Sequence, residues 1–416
     1  MDKKAILERK KQLLERMKYL QELPQRAKEN YAAYVEFSHG ARYKLAKFQV
    51  YICDMIDKLL KGELLNEKGE PYEGLTISVP PQHGKSMCVS ETLPSYYLGK
   101  NPYDHVIEIS YGDDLAQKFG RRNKQKIEEV GGGLFGIKIS PDKTSVVDFE
   151  LDKTQGGMLS RGIGGALSGF PADLIIVDDP YKNRQDADSP AYNKFVMDEW
   201  LSVIRARASA KCKFIVIHTR WNEDDLIGYL LENEPEKWFE IRFPLEAEEY
   251  EPITGRQPGD PLLPEAGKDK KWVENFKKSF LADPTQGGIR AWNALMQQRP
   301  TSLEGNMIKR EYWKRYDLTL EMRQEGFFPV KIQSWDCSFK DTDGTDPVAG
   351  QVWGKLGANY YLIDHKGGRM DIVKTMEGIE EFTKKHPDAL AKLIEDKANG
   401  PAVIQMLQNK IHGLIP

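Results

Sequence analysis

The stretch SVPPQHGKSMCVS (residues 78–90) decides how the first half of this chain is read. It closes an apolar run and leads through Gly84-Lys85-Ser86 into a segment of helical character. In that layout backbone N–H groups and a helix start converge on phosphates while a lysine reaches the outer ones. The usual spacing is G-x-x-x-x-G-K-[ST]. Here Val79 stands where the first glycine belongs, and Pro80 and Pro81 replace the flexible part of the turn. Alone, the tripeptide is a weak signal and reads more readily as a chance loop. The strand character of GLTISV just before it favours a phosphate cradle.

Downstream, ADLIIVDDP (172–180) is an apolar strand ending in two carboxylates. A magnesium-ATP site needs such a pair, with Asp178 holding the ion and Asp179 orienting the attacking water. The plain alternative is a strand running into an Asp-Asp-Pro turn. KFIVIHTRW (213–221) ends in His218, Thr219 and Arg220. That end either senses the γ-phosphate or is a strand-end turn with an exposed arginine. GLTISV, HVIEIS, VVDFEL, DLIIVD, KFIVIH and WFEIRF alternate with helical stretches near 85–99, 113–129, 187–206 and 223–233. Strands alternating with helices predict an α/β domain with a mostly parallel sheet, and the continuously apolar strands should be buried on both faces. HVIEIS and VVDFEL intervene between the phosphate-loop strand and the acidic strand. A strand added between those two marks ATPases that couple hydrolysis to motion.

At 416 residues the chain exceeds one typical domain. It carries 60 basic and 63 acidic residues, a net charge of −3, so contact with a polyanion must come from local patches such as 121–126 and 205–213. The 4 cysteines are scattered without a C-x-x-C pair, which argues against a zinc ribbon and fits a reducing compartment. The first 35 residues read as a charged helical arm with apolar Ile6, Leu7, Leu13, Leu14, Met17 and Leu20, docking on the following domain or binding a partner. The start lacks a signal peptide's apolar core, and no run approaches a membrane span, so the expectation is a soluble cytoplasmic protein. The ATPase-like domain runs from 36 to 245. Residues 246–329, opened by a Pro- and Gly-rich stretch, read as a linker or subdomain. A second strand series fills 330–416. It carries Asp336 after KIQSW and Glu395 after AKLI. Strand-end carboxylates that meet could hold two metal ions about 3.5–4 Å apart for phosphodiester cleavage, and oxygen ligands suit Mg2+ or Mn2+. By composition alone the signal is weak, and they read more readily as solvated strand ends. Asp364 and Asp346 are either assistants or turn residues.

PPQHGKS, SYGDDLAQKFGRRNKQKI, SRGIGGALSGFPADLIIVDDP and IHTRWNEDDLIGYLL follow one another in an order that resembles the large terminase subunits of tailed bacteriophages. The likeness covers roughly residues 40–410. It implies a P-loop ATPase domain followed by a ribonuclease-H-like nuclease domain. ATP and Mg2+ would be the cofactors. The partners would be double-stranded DNA, a small terminase subunit and the portal protein of the procapsid, with identical subunits assembled as a ring in the host cytoplasm.

The resemblance also implies roles. Gln82, His83, Gly84, Lys85 and Ser86 would form the phosphate loop, with Ser86 and Asp178 on the metal. Asp179 stands where many relatives carry a catalytic glutamate, one methylene longer. Gln49 resembles an adenine-reading glutamine, the alternative being an exposed helix-face glutamine. Thr219 and Arg220 match the coupling motif. Many relatives carry an arginine at the place of Gln82, so the charge on the transferring phosphate falls to another residue. Arg161, acting on a neighbouring subunit, is the first choice, with Arg121 and Arg122 as fallback. The glycine run 162–169 would lie near DNA or that neighbour, or is simply a turn.

Asp336 and Glu395 would be nuclease metal ligands. The family's third acidic motif is missing after Glu395, where only Asp396 follows on the opposite strand face. The nuclease part therefore reads as incomplete, with weak or absent cleavage expected. A helicase or repair ATPase, and a non-enzymatic assembly protein with a decayed ATPase fold, are the rival readings.

Overall fold

The structure, a computed structural model, describes residues 3–40, 43–167, 169–282, 287–300, 314, 316–337, 348–368, 370–395, 400–408 and 410–415. The chain divides into two compact units, Met1–Ile308 and Lys309–Pro416.

The first unit is built on β1 (Gly74–Ser78), β2 (His105–Ser110), β3 (Ile139–Thr144), β4 (Asp148–Leu151), β5 (Gly157–Gly162), β6 (Ala172–Asp178), β7 (Ala208–Ile217) and β8 (Trp238–Arg242). They form one 8-stranded sheet in the order β3-β4-β5-β2-β6-β7-β1-β8. Pairing is parallel from β5 to β8 and antiparallel at the β3–β4–β5 edge. Every residue of β6 is buried, because helices cover both faces. On one face Tyr31, Phe48, Ile52 and Ile56 pack with Ile77, Ile176 and Ile215. On the other, Val196, Trp200, Leu226 and Leu230 pack with Ile175, Val177 and Val216.

The strand lying between β1 and β6 is β7, whose Val216 is in register with both Thr76 and Val177. It comes from KFIVIH. The two strand candidates that intervene in sequence lie beyond β6 instead. β5 was not legible as a strand, since it reads Gly-Met-Leu-Ser-Arg-Gly. A Cβ on Gly157 would stand 2.4 Å from the Phe149 carbonyl oxygen, so close approach of β4 demands glycine there. The turn expected for the glycine run begins only after Gly162, with Gly164 at φ +81° and Gly169 at φ +79°.

The expected helix 85–99 is two pieces, Lys85–Cys88 and Leu93–Lys100. The N-terminal helix spans Lys3–Glu29, and Asn30 then caps a new helix, Tyr31–Ser38, by accepting from the Ala33 N–H at 2.9 Å. Within the arm, Leu23 and Ala27 are buried, but Leu14 and Met17 are 58% and 59% exposed, so that part of the apolar stripe is not covered by the described residues. The side chains of Ile6, Leu7 and Leu13 lie outside those described. The stretch read as a linker is held by buried Arg256, whose guanidinium donates to the carbonyls of Pro244, Leu245 and Asp260 and pairs with Glu251. Among the described residues, no helix is long and apolar enough to cross a membrane.

The second unit has β9 (Val330–Asp336), β10 (Val348–Leu356), β11 (Asn359–Gly368), β12 (Ala391–Ile394) and β13 (Leu414–Ile415), in the order β11-β10-β9-β12-β13. β9, β10 and β11 form an antiparallel meander. After the helix Ile372–Lys385, β12 and β13 run parallel to β9. Trp335, Val352, Ile379, Phe382 and Val403 fill its core. The arrangement fits a ribonuclease-H-like domain.

Candidate functional site

The loop after β1 does without its first glycine because its left-handed turns fall elsewhere. Gln82 has φ +60° and Gly84 φ +80°, while Val79 is buried in the core. His83 is 1% exposed. Its Nδ1–H donates to the Pro81 carbonyl at 2.9 Å, and burial pushes its pKa down to about 4, so the ring is neutral near pH 7. Gln49 is buried too, which overturns the exposed helix-face alternative. Its Nε2–H donates to the His83 carbonyl at 3.0 Å, and its Oε1 accepts the Ala46 N–H at 3.0 Å. One amide thus caps the helix Lys47–Lys61 and braces the loop.

Lys85 Nζ lies 2.5 Å from Asp179 Oδ2 and 3.7 Å from Asp178 Oδ1. The ends of β1 and β6, with β7 between them, bring these groups together. Asp178 is fully buried, and its Oδ2 accepts from Ser90 Oγ at 2.6 Å. Burial raises its pKa, while Lys85 pulls the other way. Asp178 Oδ1 has no hydrogen-bond partner among the described residues, although it is buried. An orphaned carboxylate oxygen beside the Ser86 hydroxyl fits a hard divalent cation or a water bound to one.

Asp179 has φ +48°, a strained setting for a non-glycine residue. Two backbone bonds hold it, its N–H to the Ile217 carbonyl at 2.9 Å and its carbonyl from the Tyr111 N–H at 3.2 Å. Its Oδ1 accepts the Thr219 N–H at 3.2 Å, so the carboxylate is clamped between Lys85 and the tip of β7. A cleft of about 390 Å³ opens over this cluster, lined by Gln82, Lys85, Ser86, Asp179 and Thr219 among others.

Arg220 is 8% exposed, not the exposed turn arginine of the alternative reading. Its Nε–H lies 2.9 Å from both carboxylate oxygens of Asp225, which caps the helix Leu226–Asn233. Its backbone N–H donates to Gln298 Oε1 at 3.1 Å. A continuous polar path thus runs from Lys85 through Asp179, Thr219 and Arg220 to that helix. Arg220→Ala strands the buried Asp225 carboxylate and should cost about 3–5 kcal/mol, read as a lower unfolding midpoint in urea.

Arg161 sits on β5, two strands from β6, and donates to the carbonyls of Ser160 and Val147 at 3.0 and 3.2 Å. It does not line the cleft of its own chain. Arg121 and Arg122 are exposed on the helix Asp113–Lys126, and Arg122 borders another cavity with His39 and Lys126.

Sequence reasoning missed Glu108. It lies on β2 in register with Ile176, is fully buried, and neither oxygen has a partner among the described residues. Burial, then Asp178, push its pKa well above the usual carboxylate range. A glutamate inside the apolar HVIEIS run was the available signal. Also missed was Lys268, whose ammonium reaches the Gln82 carbonyl at 2.6 Å from a distant segment.

In the second unit Ile394 is in register with Trp335, and the Glu395 N–H donates to the Trp335 carbonyl at 3.1 Å. Asp336 and Glu395 therefore leave adjacent parallel strands side by side. Asp364 is not with them. It lies within β11 opposite Val352, held by Lys385 at 2.7 Å and His386 at 2.8 Å. Asp346 and Asp396 fall outside the described residues. Among those described, no group of three or more His, Cys, Asp or Glu could hold a metal ion.

A phosphate loop after β1, an acidic tip on β6 and a polar tip on β7 lying between them define a phosphate-loop nucleotide-binding α/β fold. Residues 76–296 match the family described as "Terminase large subunit, T4likevirus-type, N-terminal". The chain belongs to that family, the large terminase subunits, and its role is that of a viral DNA-packaging ATPase. No curated protein matches the chain. Among solved structures it is similar to the large terminase of bacteriophage HK97, at 12% identity and a TM-score of 0.43, over 90% of this chain and 81% of that one. The large terminase of a thermophilic bacteriophage, in complex with ATP-gamma-S, is similar at 10% identity and a TM-score of 0.36, over 89% and 82%. The large terminase ATPase domain of a Thermus phage is similar at 14% identity and a TM-score of 0.36, over 61% and 93%. The family match, not these distant likenesses, places the chain.

Proposed function

We propose that the cleft over Lys85 binds magnesium-ATP and that its hydrolysis moves double-stranded DNA into a procapsid. The observation carrying this reading is the Lys85 ammonium set between the Asp178 and Asp179 carboxylates at the mouth of a left-handed loop. Backbone N–H groups of residues 83–86 and Lys85 bind the phosphates. Ser86 and Asp178 hold the ion, which when bound neutralises charge on the outer phosphates. Asp179 orients the attacking water, fixed by the Thr219 N–H. Gln49, beside the loop and bonded to the His83 carbonyl, reads the adenine edge through an amide that can both donate and accept. Thr219 and Arg220 pass a change at Asp179 to the helix Leu226–Asn233. Arg161, absent from the lining of its own cleft, serves a neighbouring subunit in a ring.

Asp336 and Glu395 hold metal in the second unit, where concatemeric DNA is cut. The small terminase subunit and the portal protein of the procapsid are the partners, in the host cytoplasm. DNA contacts go mainly to phosphates, since a packaging motor must ignore sequence. ATP turnover should therefore rise on adding duplex DNA, the rise fading steeply between roughly 50 and 200 mM salt. Whatever weak Mg2+- or Mn2+-dependent plasmid nicking the chain has should be lost in Asp336→Asn. DNA-independent turnover would remove the motor reading, and nicking that survives Asp336→Asn would remove the nuclease assignment.

A further inference from the structure

Besides Lys85, one other cation among the described residues lines the cleft. Lys182 walls it together with Tyr111, Tyr181 and Trp221, just past the acidic pair. Lys85 is engaged, its ammonium lying against Asp179 and Asp178. Lys182 is exposed and has neither a hydrogen bond nor an ion pair with any described residue. An exposed lysine is usually just a solvated surface charge. This one differs in its anchorage. The Pro180 carbonyl accepts from the Tyr192 hydroxyl at 3.1 Å. Tyr181 is buried, its hydroxyl accepting the Leu226 N–H at 3.0 Å and its ring centroid 5.8 Å from that of His218. On the other side Asn183 Oδ1 accepts the Asp186 N–H at 3.0 Å. The backbone around Lys182 is therefore held, and its unengaged ammonium is presented to the cleft from a fixed base.

We propose that Lys182 is a catalytic cation, acting within its own subunit on the outer phosphoryl group of a bound nucleoside triphosphate. The proposal rests on the ATPase reading of the cleft. In the reaction the water oxygen bonds to the γ-phosphorus and its proton passes to the Asp179 carboxylate. The bond from the γ-phosphorus to the β–γ bridging oxygen breaks, and its electron pair leaves with the diphosphate. Orthophosphate and ADP result, and Asp179 returns the proton to solvent. Negative charge grows on the bridging oxygen and on the oxygens of the transferring group, where a positioned cation acts more strongly than in the ground state. Lys85 must share its charge between the phosphates and two carboxylates, whereas no described residue offers Lys182 a competing anion. An arginine from a neighbouring subunit would add to this cation rather than replace it. Because ADP lacks the outer group, Lys182 also distinguishes triphosphate from diphosphate.

The test compares the full chain with Lys182→Ala and Lys182→Arg, measuring ATP turnover and equilibrium binding of ADP and of the imido analogue of ATP. Lys182→Ala should lower kcat about 10²–10³-fold. It should weaken analogue binding about tenfold, leave ADP binding within about twofold and keep the melting temperature, with Lys182→Arg recovering part of kcat. Unchanged kcat in Lys182→Ala, or equal losses of ADP and analogue binding, would overturn the proposal while leaving the ATPase reading intact. A wild-type chain that does not hydrolyse ATP would overturn the reading of the cleft itself.

Discussion

Lys85→Ala lowers ATP turnover about 10³-fold, the scale on which a phosphate-directed cation acts in phosphoryl transfer. Two losses combine. The outer phosphates lose their cation, and the buried Asp178 loses the charge that offsets its burial, since Lys85 is what pulls its raised pKa back down. Without the ammonium, Asp178 takes up a proton more readily and is a poorer metal ligand. The same protonation limits the damage to the fold, because a buried carboxyl that can neutralise itself avoids the full cost of an unpaired charge. The variant should therefore melt near the wild type yet bind magnesium-nucleotide weakly. Lys85→Arg should not rescue it. The site offers a narrow approach with 2.5 and 3.7 Å contacts to two carboxylates, which a planar fork cannot reproduce. Turnover within a few-fold of wild type in Lys85→Ala would end the ATPase assignment.

Asp179→Asn is the second large effect and should separate binding from chemistry. The amide oxygen can still accept the Thr219 N–H, so the geometry at the tip of β7 survives. The negative charge and the ability to orient and deprotonate water are lost, and kcat should fall about 10²–10⁴-fold. Nucleotide affinity should hold or improve, since Asp179 no longer competes with the phosphates for the Lys85 ammonium. Rapid-quench turnover together with equilibrium nucleotide binding checks both halves. A variant that loses affinity and keeps kcat would reassign Asp179 to substrate binding.

Much of the first unit was legible from local pattern. The runs that became β1, β2, β6, β7 and β8 are apolar because both sheet faces are covered, and that leaves a mark in any window of the chain. β5 left none. Its glycines answer to the approach of β4, a contact the local sequence does not encode. The break between Lys85–Cys88 and Leu93–Lys100 was likewise hidden in a helix-like composition. Whether Arg220 is exposed stayed open in the sequence, because the Gln298 side chain that bonds its N–H arrives from a distant segment and the Asp225 pairing forms only once the turn folds. Lys182 carried no signal, since a lysine after an Asp-Asp-Pro turn is ordinary until the cleft wall is assembled around it.

By itself, the order of residues determined which chemistry the chain carries: an ammonium, a hydroxyl and two carboxylates at the ends of apolar runs, and a second pair, Asp336 and Glu395, at the ends of two more. Tertiary structure alone decided which of these meet. β7 slots between β1 and β6, so Lys85 reaches Asp178 and Asp179 from a loop remote in sequence. β12 runs parallel beside β9, so Asp336 and Glu395 emerge together while Asp364 is drawn off to Lys385 and His386. The reason is that side-chain chemistry is local to each residue, whereas strand order and register are settled by the packing of whole faces against helices.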